Sequence, residues 1–135
     1  MLQPPPSAEL GQHLPGGLSP AILAIIERGI HRRPAIAAQL RAEIELNLQD
    51  QYPPVRISFT DERVLVEDRG VGEPDLRVTG ALHDLVGLMA APMLGGLPNP
   101  IDRRGRAVLA LVAGRRVRIE GRMALMRQLL ALIRI

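Results

Sequence analysis

The stretch from Arg122 to Arg134 carries more apolar surface than one sheet face easily covers. Read as a helix at about 100° per residue, Leu132, Leu125, Leu129, Ile133, Met126, Leu130 and Met123 fill one continuous half of the circumference. Arg127, Arg134 and Gln128 sit opposite. An ordinary surface helix needs an apolar stripe somewhat over about 100° wide. The surplus must meet another helix, a second subunit or a ligand.

Upstream of this helix the apolar period changes several times. Residues 1–18 are rich in Pro, Gly and Gln without a period and read as a flexible tail, which leaves 19–135 as one domain. Ser19-Pro20 signals a helix start, with Ser19 as cap, and Ile22, Leu23, Ile25, Ile26 and Ile30 follow to about His31. Pro34 opens a second helical stretch in which Ile36, Leu40, Ile44 and Leu48 recur at four-residue spacing; Arg41 and Glu45 pair on its surface, and Tyr52-Pro53-Pro54 ends it. Alternation then predicts strands over Val55 to Thr60, Arg63 to Asp68, Leu76 to Thr79 and Arg116 to Glu120. Leu82, Leu85, Val86 and Met89 describe one face of a helix between the third and fourth. Pro92 to Gly105 reads as a long loop or a broken helical segment, and Arg106 to Ala113 as a short helix.

Composition narrows the chemistry. With one Tyr, one Phe and no Trp, core volume must come from aliphatic residues and Met, which adapts its shape to what it touches. The absence of Cys excludes disulfides and thiolate metal sites. No basic and apolar leader opens the chain and no apolar run reaches membrane-span length, so the expectation is a soluble, cytoplasmic protein. All seventeen basic residues are Arg, which looks like GC-rich coding. Nine of them fall in 101–135 against only Asp102 and Glu120. That basic third is a solvated face or a contact for an anionic surface.

Catalytic groupings are missing from the pattern. His13, His31 and His83 have no ligand spacing, so no metal is expected. Ser7, Ser19 and Ser58 lack a nucleophile elbow. Glu43/Glu45 and Glu67/Asp68 read as solvated surface, and Gly70-Val71-Gly72 and Gly95-Gly96 as turns. Arg103, Arg104, Arg106, Arg115, Arg116 and Arg118 form a cluster able to touch phosphates, but a sheet that reads RNA wants exposed aromatics, of which this one offers at most one. Neither an enzyme nor a nucleic-acid binder is expected.

Three stretches carry a family likeness. They are the strand meander Val55 to Val78, the strand Leu76-Arg77-Val78-Thr79 running into Asp84-Leu85-Val86-Gly87-Leu88, and Gly114-Arg115-Arg116-Val117-Arg118-Ile119-Glu120-Gly121 before Met123, Leu125, Leu129 and Leu130. Their order resembles the sterol carrier protein 2 family, well over 55–135 and only through amphipathic helices over 20–50. Arg122 departs from the Asp or Asn often found there. The resemblance implies an α+β fold: a mainly antiparallel sheet of four to five strands, helices covering one face, and an apolar cavity between them. The fifth strand would lie near 101–113.

Under that resemblance the chain binds or transfers a sterol, fatty acyl or prenyl-quinone lipid without catalysis or cofactor. Expected cavity walls are Phe59, Val66, Leu85, Met89, Met93, Leu109, Ile119, Met123, Met126 and Leu130, with Gly95-Gly96 as a gate. The Arg-rich surface would touch anionic membrane transiently. The alternative is a protein-interaction or homodimeric scaffold built on the apolar terminal helix; monomer and homodimer both stay open.

Overall fold

A computed structural model describes residues 6–90, 93–94, 97–98, 101, 103, 106, 110, 114 and 116–134, with backbone only at 93–94 and 97–98. Its elements are β1 (Ser7–Leu10), α1 (Ser19–Arg32), α2 (Pro34–Gln39), β2 (Ala42–Leu48), β3 (Val55–Phe59), β4 (Arg63–Glu67), β5 (Leu76–Gly80), α3 (Leu82–Ala90), β6 (Met93–Leu94), β7 (Leu97–Pro98), β8 (Val117–Gly121) and α4 (Met123–Leu132). β6 and β7 pair as a small hairpin. The others form one six-stranded sheet in the order β1-β4-β3-β2-β5-β8. Among the described residues no helix is long and apolar enough to cross a membrane.

The expected four- or five-stranded sheet is therefore too small, and it is not uniformly antiparallel. β1 runs parallel to β4, and β2 parallel to β5. Both extra strands come from segments read otherwise. Residues 42–48 were expected to be helical because Ile44 and Leu48 continue a four-residue spacing. Four is also twice two, and Ala42, Ile44, Leu46 and Leu48 alternate with Glu43, Glu45 and Asn47. Tertiary pairing decides the matter, since β2 lies between β3 and β5 and pairs with both. Arg41 consequently pairs with Asp61, and Glu45 with Arg77, rather than with each other. Ser7–Leu10, expected within the tail, forms the edge strand β1.

Register explains how the sheet chooses its faces. Leu76, Ile44, Ile57 and Val66 lie side by side across β5, β2, β3 and β4, and all four are fully buried beneath the helices. On the opposite face the paired positions read Glu67, Arg56, Glu45, Arg77 and Glu120. Charge alternates in sign at every strand, so slipping any strand by one residue would bury charge and expose the apolar row. Arg56 reinforces the row with paired bonds to Glu43 at 2.8 and 2.9 Å and one to Glu67 at 2.9 Å.

The wide apolar arc of α4 finds its cover inside the chain. Leu125, Met126, Leu129, Leu130, Leu132 and Ile133 are buried, and Met123 alone of the arc is exposed. α1 and α2 lie against the helix. At Gly29 the approach of α1 is so close that a side chain would strike the Leu132 carbonyl. Of the three partners the arc allowed, another helix takes most of the surface.

Candidate functional site

What remains uncovered is a narrow apolar seam of about 30 Å³ between sheet and helices. Its wall comprises Leu18 and Ile22 at the start of α1, Leu46 and Leu48 of β2, Val55 of β3, and Val78 of β5. Leu82, Leu85, Leu88 and Met89 of α3 and Met126, Leu129 and Ile133 of α4 complete it. Every lining residue is aliphatic or Met. One water needs roughly 10–15 Å³, so the seam has room for about two waters, whereas ligand pockets run to about 300–1,000 Å³. The arrangement is a narrow, wholly apolar cleft.

Of the expected wall residues, the structure brings Leu85, Met89 and Met126 together on this seam. Phe59, Val66 and Leu130 are buried in the surrounding core but do not line it, and Ile119 is half-buried beside the core. Met123, at 51% exposure, points away from the interior. Met93 lies in β6, where only the backbone is described. Leu109, the Gly95-Gly96 gate and most of the expected helix over 106–113 lie outside the described residues. On α3, Val86 was expected inward but is exposed, while Leu88 is buried. Leu46 and Leu48 were missed because their segment was read as a helix. Ile22 and Leu129 carried a legible signal, each belonging to an apolar helical stripe.

The helices flanking the seam are fixed by polar anchors. Asp68 is fully buried at the end of β4. Its carboxylate accepts from His13 Nδ1 at 2.8 Å, Leu14 N at 2.9 Å, Ser19 N at 3.0 Å and Ser19 Oγ at 2.8 Å. Burial pushes its pKa up, but these donors outweigh that and hold it below the usual carboxylate range. Ser19 was expected to cap α1. Instead Leu18 occupies the cap position, and Asp68 supplies the negative charge that the helix N-terminus favours. Gly17 fits beside Asp68 only because it has no side chain.

The trio of Ser19, Asp68 and His13 does not make a nucleophile. Asp68 stands between the other two, so the Ser19 hydroxyl donates to a carboxylate rather than to the imidazole that would activate it. The carboxylate pairs suggested by sequence are engaged too: Glu43 and Glu67 with Arg56, Glu45 with Arg77. The Arg56 hydrogen bond is the main reason that Glu43 titrates below the usual range; burial opposes it, and Ser58 Oγ at 2.7 Å adds to the lowering. Among the described residues no three His, Asp or Glu side chains gather to hold a metal ion.

No protein-family model and no curated protein matches the chain. Solved structures do. The ubiquinone synthesis protein UbiJ-SCP2 superposes with a TM-score of 0.57 at 16% identity, covering 86% of this chain and 89% of its own. The sterol carrier protein domain 2 of Helicoverpa armigera superposes with a TM-score of 0.56 at 18% identity, covering 93% and 97% respectively. At such identities the likeness is one of backbone architecture, and the six-stranded sheet with its helical cover has the sterol carrier protein 2 fold.

Proposed function

We propose that this protein binds an apolar molecule of sterol, fatty acyl or prenyl-quinone type between the sheet and α1, α3 and α4, and holds or hands it on without chemistry. The observation that carries this reading is the seam itself, lined by aliphatic and Met residues from every flanking element. Leu85, Met89 and Met126 are the proposed contacts, joined by Ile22, Leu46 and Leu129. Burying roughly 400 Å² of lipid at about 25 cal/mol per Å² contributes about 10 kcal/mol, which is enough to offset association costs without a polar anchor. Because the seam as it stands admits only water-sized molecules, binding requires the walls to part.

Arg103, Arg106, Arg118, Arg122 and Arg127 are exposed, which supports transient contact with an anionic membrane. The scaffold reading gains no comparable support, since the apolar arc of α4 is spent inside the chain and leaves only Met123 outside. Titration with anthroyloxy stearate and with dehydroergosterol tests the proposal, alongside mass spectrometry of lipid that co-purifies. Saturable binding lost in Met126→Trp, with thermal unfolding still cooperative, is the expected result. No saturation with either probe and no co-purified lipid would overturn it.

A further inference from the structure

Uptake of a ligand larger than water needs a moving wall, and α3 presents the largest share of the lining through Leu82, Leu85, Leu88 and Met89. Besides the packing of buried Leu85, Leu88 and Met89, two polar side-chain contacts hold this helix among the described residues. Asp50 Oδ2 accepts the Leu82 N–H at 2.8 Å, and Arg116 Nη2 donates to Asp84 Oδ1 at 3.0 Å. The second contact is lopsided. The Asp84 side chain is 7% exposed and that of Arg116 is 64% exposed. An exposed guanidinium leaves a partner for water at little cost. A buried carboxylate left behind has no such option and must be reached by water or move towards it.

Arg116 stands just before β8, the strand at one edge of the sheet, whereas Asp84 sits in the first turn of α3. Separation of the pair therefore favours a tilt of α3 away from β5 and β8, which widens the seam along the side it lines. We propose that Asp84 and Arg116 form a clasp on α3, and that opening this clasp admits the apolar ligand. The inference rests on the binding reading above and adds the wall that moves and the contact that governs it.

Stopped-flow mixing of anthroyloxy stearate with wild type, Arg116→Ala, Arg116→Gln and Ser19→Ala tests the clasp. Association about tenfold faster in Arg116→Ala is expected, with Arg116→Gln in between and Ser19→Ala, which removes one hydroxyl bond to Asp68 at the start of α1 and none at α3, within about twofold of wild type. Amide exchange without ligand should quicken over 82–89 in Arg116→Ala while Ile44 and Ile57 stay protected. Wild-type association rates and exchange in Arg116→Ala would overturn the clasp alone, as would equal acceleration in Ser19→Ala. A wild type that takes up no probe would overturn the binding reading and the clasp together.

Discussion

α1 and α3 flank the same seam and are held in opposite ways. α1 is fixed at its start by buried Asp68, which accepts the Ser19 N–H and hydroxyl and also ties down His13 and Leu14 of the segment that leads into the helix. At its end Gly29 presses on the Leu132 carbonyl, and Arg32 donates to the Ala131 and Leu132 carbonyls at 2.8 and 3.2 Å. Among the described residues α3 has one N-terminal bond, donated by its Leu82 N–H to the exposed Asp50 carboxylate, and one ion pair whose cation is mostly in water. A buried anchor with several partners releases all of them or none; single contacts with solvent-facing partners yield one at a time. Among the described residues polar anchoring is therefore concentrated along α1 and thin along α3, whose hold rests mainly on buried Leu85, Leu88 and Met89.

The sharpest break in that contrast would come at Gly29. Gly29→Val should cost at least about 4 kcal/mol, because α1 and α4 must separate to admit the side chain; urea unfolding reads the loss. Asp68→Ala ranks next, at about 3 kcal/mol, since it strands two backbone N–H groups with Ser19 and His13. The same carboxylate sets an acid limit. Asp68 and Glu43 are both depressed in the folded state. Their contribution is whole above roughly pH 4–5, where unfolded carboxylates titrate, and drains away as pH falls through the folded values. Stability measured from pH 6 downward should fall more gently in Asp68→Ala than in wild type.

Smaller effects belong to the other wall. Asp50→Ala removes a helix N-terminal acceptor and should cost about 1 kcal/mol by thermal unfolding. Met123→Gln, on the exposed flank of α4, should change stability by no more than about 0.5 kcal/mol. If Asp50→Ala destabilises as much as Asp68→Ala, the two walls are alike and the contrast fails.

Much of the architecture was legible along the chain. The alternation over Val55 to Thr60, Arg63 to Asp68, Leu76 to Thr79 and Arg116 to Glu120 marks four strands that the structure contains with ends shifted by a residue. The stripes of α1, α3 and α4 mark their helices. β2 was not legible, because its spacing satisfies two periods at once, and β1 was hidden by the Pro and Gly around it. Three of the ten expected wall residues, Leu85, Met89 and Met126, meet on the seam. Phe59 and Val66 show the limit of such reasoning. An inward-facing strand residue is easily recognised, but its distance from a cleft depends on which strand lies beneath which helix.

By itself the sequence determined that α4 would need cover on half its circumference, since side-chain chemistry and helical pitch leave no other outcome. Only the tertiary structure decided what provides it. α1 can approach within backbone contact at Gly29, so helices, not a hollow, take up most of the apolar surface. The physical reason is that periodicity fixes which way a side chain points along its own element. The width of the gap it points into is set by residues far away in the chain.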